Sequence, residues 1–301
     1  MKKLTTFVFL IGVLLATYTY RDEIISFLVT KVIDNSEVNL EYKNSYYLTY
    51  KFDFVKNVDE FDIKNKDDLL DLYYTVINSG VSNFEFYCPQ EYTNCMQDVI
   101  DVANNQDDLS NINGFVHPFN SFDTVETSYD SFGRVRLSII KTYTDLEITE
   151  ISQKVQEIIN EKVKDETDQK KIVKIIHDYI INSTKYDKDR TDHNIIKYAS
   201  NTAYGVLFEG YGICSGYADA MALFLNYYNI PNYKVASENH VWNAVYLDGK
   251  WYHLDLTWDD PIVSSGEETL DDTYFLITTQ RLKEINDSQH RFDSTIFKEL
   301  A

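Results

Sequence analysis

The chain is poor in the residues that break or punctuate a fold. Four prolines and ten glycines are spread over 301 residues, and no repeat or low-complexity segment stands out. This scarcity reflects compositional bias as much as architecture, so no function is read from it. Cysteine is rarer still, with three in all. Cys88 and Cys95 bracket the short loop PQEYTN. They either close a disulfide or stand as two buried thiols. No second pair of ligands lies nearby, which argues against a zinc site. Cys214 is left over in both cases. Basic residues are also few, 28 against 48 acids, for a formal charge of −20. A chain this acidic is repelled by phosphate backbones and anionic lipid surfaces, so no nucleic-acid partner is expected. The acidity runs along the whole chain rather than forming a tail.

What is abundant is core material. Hydrophobic residues make up 44% and aromatics 15%, enough to pack one large domain or two ordinary ones. One apolar run stands apart. Residues 4–20, LTTFVFLIGVLLATYTY, follow Lys2 and Lys3 and end at Arg21. This pattern is that of a signal anchor or signal peptide over residues 1–22. Its 17 residues are at the short limit for crossing a bilayer, and no good small-x-small cleavage site is present. The expectation is an uncleaved membrane anchor with the body on the extracytoplasmic face of the cell membrane, or a secreted protein if the segment is removed. A buried first helix is the alternative.

Beyond it, residues 24–37 can continue as a helix, and 38–55 alternate as a strand does. KDDLLDLYYTVINSG (66–80) reads as a helix stopped at Gly80. Residues 82–88 read as a strand, 95–105 as a helix and 133–143 as a strand. These elements suggest a smaller α+β domain over 23–147, to which the sequence assigns no role. A helical pattern then fills 145–183, broken at DETDQ (165–169), and opens a second domain over 148–301. After a loop (184–202) come the Cys214 segment, a strand VASENHVWNAVYL, the turn Asp248-Gly249 and a strand KWYHLDLTW. Residues 273–278 suggest one more strand, and 279–289 a short helix.

Asp-Gly between two apolar runs is a strong hairpin signal. A two-residue turn pairs Leu247 with Lys250, Tyr246 with Trp251 and Ala244 with His253, then Trp242 with Asp255 and His240 with Thr257. Side chains alternate across a strand, so His240, Trp242, His253 and Asp255 share one face. Asp255 becomes the diagonal neighbour of His240, about 7–8 Å away between backbones and less between side chains. Asn243 points to the other face.

Upstream, Ala218, Met221, Ala222 and Leu225 recur at helical spacing. Cys214 therefore sits at a helix N-terminus, where unpaired N–H groups favour an anionic sulfur and can stabilise an oxyanion. Gly212 and Gly216 allow close approach of backbone or substrate. A thiol there and a His–Asp pair on a hairpin meet the requirements of cysteine acyl transfer.

Three motifs in order carry a family resemblance. GICSGYADA (212–220), HVWN (240–243) and WYHLDLTWDD (251–260) resemble the bacterial transglutaminase-like superfamily, as do KIVKIIHDYIINSTKYD and AYGVLFEG upstream. The resemblance covers roughly residues 150–262. It implies an α+β, papain-like core in which a helix bearing cysteine packs on an antiparallel sheet bearing histidine and aspartate. It implies a catalytic triad of Cys214, His240 and Asp255, acting on protein or peptide substrates as a transglutaminase, peptidase or amidase. It also admits inactive members, so the alternative is an anchored binding or assembly module. No cofactor is expected. Tyr204 is a candidate oxyanion donor, and Trp242 a supporting pocket wall. Asp259 and Asp260 rival Asp255 but suit the strand end before Pro261. A metal held by His240, His253 and Asp255 is conceivable but lacks a fourth ligand, so none is expected.

Overall fold

The computed structural model describes residues 17–21, 40, 42–260 and 271–301. The apolar run at 4–20 therefore lies, apart from its last four residues, outside the described residues, as does the helix expected over 24–37. Among the described residues no helix is long and apolar enough to cross a membrane.

The fold mixes helices with small sheets. Helix α1 (Lys66–Ser79) starts where the Asn65 side chain accepts the Asp68 N–H, and stops at Gly80, whose φ of 80° is the left-handed cap conformation. Strand β1 (Asn83–Tyr87), helices α2 (Cys95–Asn104) and α3 (Gln106–Gly114), and strands β2 (Phe122–Tyr129) and β3 (Arg134–Lys141) follow. The sheet order is β1-β3-β2, which puts the alternating Val135, Leu137 and Ile139 of β3 in the core. Cys88 and Cys95 form a disulfide that closes the loop before α2. Residues 42–55 contain no strand, against the alternation in the sequence. Side-chain amides take the place of a ladder there: Asn78 bonds both the N–H and the C=O of Leu48, and Asn57 shares that C=O.

The second half opens on α4 (Asp145–Ile158), begun by a reciprocal Thr144–Glu147 capping box. A wide turn over 159–163 leads to α5 (Gln169–Ser183), capped by Asp168. A two-residue strand β4 (Lys185–Tyr186), the short helix α6 (Lys188–His193) and strand β5 (Tyr211–Gly212) lead into α7 (Cys214–Tyr227). The run written VASENHVWNAVYL is two strands, β6 (Asn232–Ala236) and β7 (Val241–Leu247), because the chain turns at Ser237 and the Ser237 N–H bonds the His240 carbonyl. β8 (Lys250–Leu254) closes the sheet in the order β6-β7-β8. Residues 273–278 form no strand and contribute an isolated bridge between Ile277 and His253. Helix α8 (Thr279–Ile285) and the chain end complete the described fold.

β7 is central and buried on both faces. Trp242 and Ala244 join Tyr233 and Val235 in one apolar cluster with α1, β3, Phe297 and Leu300. Val245, Leu247 and Leu254 join a second cluster with α4, α5 and α7. The first cluster thus runs from Phe52 to Leu300 and crosses residue 147. α7 also makes polar contacts with the sheet, among them the buried Asn243 amide, which donates to the Ala218 carbonyl at 3.0 Å.

Candidate active site

The hairpin register sets the frame. Leu247 pairs with Lys250, Tyr246 with Trp251 and Ala244 with His253, as a two-residue Asp248-Gly249 turn requires. Both turn residues have positive φ, 50° and 78°, the mark of a type I′ turn. The ladder ends at Asn243 and Leu254. His240 and Asp255 therefore stand just off the strand ends, rather than on the strands as the extended register implies. They still meet: His240 Nε2 and Asp255 Oδ2 are 2.5 Å apart, and both residues are buried.

Cys214 is the first residue of α7. The first bond inside that helix runs from the Tyr217 N–H to the Ile213 carbonyl. The N–H groups of Cys214, Ser215 and Gly216 thus have no carbonyl within the helix to bond. The tip is pressed onto the chain at 200–202, where a Cβ on Gly216 would come within 2.3 Å of the Ser200 carbonyl oxygen. Ser215 Oγ donates to the Asn201 carbonyl from the same tip. Cys214 is partly exposed. It opens on a cleft of about 350 Å³, whose other walls include Tyr186, His240, Trp258, Asp260 and Gln289.

The ring of His240 is bonded to Asp255 and lines the same cleft as Cys214. Asp255 occupies Nε2, so Nδ1 is the ring nitrogen it leaves open. Burial disfavours the charged ring, but Asp255 and then Cys214 outweigh it and raise His240 to about 10. Burial likewise opposes charge on Asp255, yet the two imidazoles bonded to it, His240 foremost, hold it at about 2. In linkage terms the His240 contribution to stability is full below about pH 6.5 and is lost as pH rises through about 10. The Asp255 contribution is full above about pH 3.9 and is lost as pH falls through about 2.

The other sequence candidates fall in different places. Trp242 is buried with its ring stacked on His240 at 5.6 Å, and its indole N–H donates to His253 Nδ1 at 3.0 Å. It braces the histidine and does not line the cleft. Tyr204 stacks on Phe208 at 4.6 Å and also does not line the cleft, so the position expected of an oxyanion donor is not the one it holds. Tyr186 lines the cleft instead. β4 pairs in parallel with β5, setting Tyr186 opposite Gly212, two residues before the sulfur. Burial, and then Cys214, raise the Tyr186 hydroxyl above its ordinary range. Asp259 fixes a loop: its Oδ1 accepts the Tyr274 N–H, and its Oδ2 meets His177 Nε2 at 3.2 Å. Burial lifts it to about 6. Asp260 accepts from the Tyr217 hydroxyl at the cleft edge.

His290 joins the site without any signal in the sequence. Its Nε2 lies 2.8 Å from Asp255 Oδ2, so one carboxylate oxygen serves two imidazoles. His240, Asp255 and His290 offer three ligand atoms within 4.8 Å of one another, as do His177, Asp178 and Asp272. The separations of 2.5 and 2.8 Å in the first group are those of direct hydrogen bonds. Two ligands of one tetrahedral zinc, each about 2.1 Å from it, stand roughly 3.4 Å apart. His253 belongs to neither group; it is held by Trp242 and Thr279, and burial depresses it to about 3. A second cavity, of about 450 Å³, lies beside the far end of α7 among Tyr46, His117, Phe119 and Tyr227. At 1.5 Å per residue it is about 20 Å from the sulfur, and no cysteine lines it.

Residues 156–256 match the model of the transglutaminase-like superfamily. That segment is transglutaminase-like. It contains α5, α7, the β6-β7-β8 sheet and all three residues of the Cys–His–Asp cluster. Among solved structures, one described as a TGase is 16% identical, with a TM-score of 0.35 over 51% of this chain and 48% of that one. A candidate cysteine protease from Cytophaga hutchinsonii is also 16% identical, with a TM-score of 0.28 over 44% of this chain and 61% of that one. The chain thus spans about half of the first structure and less than two thirds of the second. No curated protein matches the chain. The transglutaminase-like segment ends before α8 and before His290.

Proposed function

We propose that this chain is a cysteine-dependent enzyme that transfers or hydrolyses acyl groups at amide bonds of a protein or peptide. The observation that carries the reading is the His240 ring, bonded to buried Asp255 and facing the same cleft as Cys214 at the start of α7. Cys214 attacks the amide carbonyl, and the C–N bond breaks as His240 delivers a proton to the leaving amine. The oxyanion formed in between meets the N–H groups of the α7 tip. Asp255 holds the ring through Nε2 and stabilises its charged form. Water or a second amine then attacks the thioester, and His240 takes up the proton it releases. The Cys88–Cys95 disulfide supports an oxidising compartment for this chemistry, in keeping with the apolar run at 4–20.

Alkylation by iodoacetamide tests the activated sulfur without a known substrate. Cys214 is the free cysteine, so the label has one target. A charged His240 beside it should keep the folded protein reactive at pH 6. A free thiol instead loses roughly tenfold in rate per pH unit below about 8.5. A free-thiol profile in the folded protein would sink the reading.

A further inference from the structure

We propose that His290, which lies outside the transglutaminase-like segment, is a positioning residue for the Cys214–His240–Asp255 site. It locks the Asp255 carboxylate and, through it, the orientation of the His240 ring. The inference rests on the function proposed above and adds to it a group that the family match does not reach.

Asp255 Oδ1 accepts the backbone N–H groups of Thr257 and Trp258 at 2.9 and 3.3 Å. Its Oδ2 accepts from His240 Nε2 at 2.5 Å and from His290 Nε2 at 2.8 Å. All the acceptor directions of a carboxylate are then in use, so the group cannot turn without breaking a bond. An ionised carboxylate only accepts, so both imidazoles must present an N–H to it. Asp255 is 1% exposed and His290 4%, and no solvent competes for these bonds.

His290 is itself held from several sides. Its ring stacks on Tyr274 at 4.5 Å, and the rings of Trp242 and Trp258 stand at 5.0 and 5.4 Å. Asp287 Oδ1 lies 3.3 Å from its Nδ1. The titratable groups around it are therefore Asp255, Asp287, His240 and Tyr274, with His253 behind Trp242. The segment that carries it is latched to the turn that carries His240. Ser237 Oγ donates to the Gln289 carbonyl at 2.5 Å, Ser237 bridges to Phe292, and the Ser237 N–H bonds the His240 carbonyl. Gln289 also lines the cleft. A residue present only for packing would need no N–H aimed at the oxygen that orients the reacting histidine.

Two donors on one oxygen share its charge, so His290 both fixes Asp255 and moderates its pull on the His240 proton. His290→Ala should slow alkylation of Cys214 by roughly tenfold or more, the scale known for residues that orient metal ligands from behind. It should also move the alkaline limb of the alkylation profile to higher pH, because Asp255 then serves His240 alone. His290→Gln, which keeps an N–H donor, should restore most of both. The experiment uses iodoacetamide on the full chain, with thermal melts showing that each variant is folded. A wild-type profile like that of a free thiol defeats the functional reading itself. An activated wild type with unchanged profiles in both variants defeats only the role of His290. So does a glutamine variant no better than alanine, which would mark His290 as mere packing.

Discussion

Asp255→Asn should lower acyl transfer by roughly 10⁴-fold, the cost known for a wrong histidine tautomer, while leaving the chain folded. The amide keeps an oxygen for the Thr257 and Trp258 N–H groups, so the turn after β8 has its bonds. What changes is the other arm. An amide NH₂ facing His240 Nε2 is a donor, and the ring must answer as an acceptor. Its remaining proton then moves to Nδ1, and the charged form that Asp255 stabilises is lost. Steady-state rates on a peptide amide, or alkylation of Cys214 while no substrate is known, measure the loss. An asparagine variant within tenfold of the wild type would mean that the charge on Asp255 does no chemistry.

The second large effect is on stability. Asp219 lies in the middle of α7, and its side chain is 5% exposed against 12% for its partner Lys234, 2.5 Å away on β6. Tyr143 donates to the same carboxylate at 2.7 Å and accepts the Ala203 N–H at 2.8 Å. The chain of bonds ties the helix bearing Cys214 to the sheet and to the end of β3. Asp219→Ala strands an ammonium group and a phenol in the interior. Breaking a buried pair from one side costs about 3–5 kcal/mol. In a chain of this size that is a fall in Tm of roughly 10 °C. Replacing both partners by apolar residues, Asp219→Leu with Lys234→Met, should recover much of the loss, because no charge is then left alone. Calorimetric melts of the three variants test this, and a shift under about 2 °C for Asp219→Ala would show that the pair carries little.

Local signals were legible where local physics decides the outcome. Gly80 stops α1, Asp168 starts α5 and Asp248-Gly249 sets the hairpin register, because a cap or a two-residue turn needs only its own neighbours. That register reaches Asn243 and Leu254, and His240 meets Asp255 just beyond it. The misses arose where partners are distant in sequence. Residues 42–55 alternate as a strand does, but their partners are the amides of Asn57 and Asn78 rather than another strand. The run 235–247 reads as continuous because nothing in it marks the turn that Ser237 and His240 make by bonding each other. Tyr186 reaches the cleft through a two-residue parallel pairing too short to leave a pattern. His290 is 35 residues from Asp255, in a stretch with no periodic signal, and only the folded chain brings the two together.

The central claim is that Cys214 accepts an acyl group. The most direct measurement is intact and peptide mass spectrometry of the full chain after a brief acid quench, following exposure to a library of glutamine-containing peptides with and without a primary amine. The account predicts an acyl adduct on the peptide containing Cys214. That adduct should be absent in Cys214→Ala and discharged faster when an amine that acts as acceptor is present. No adduct on Cys214 with any peptide, from a protein whose melt shows it folded, would contradict it.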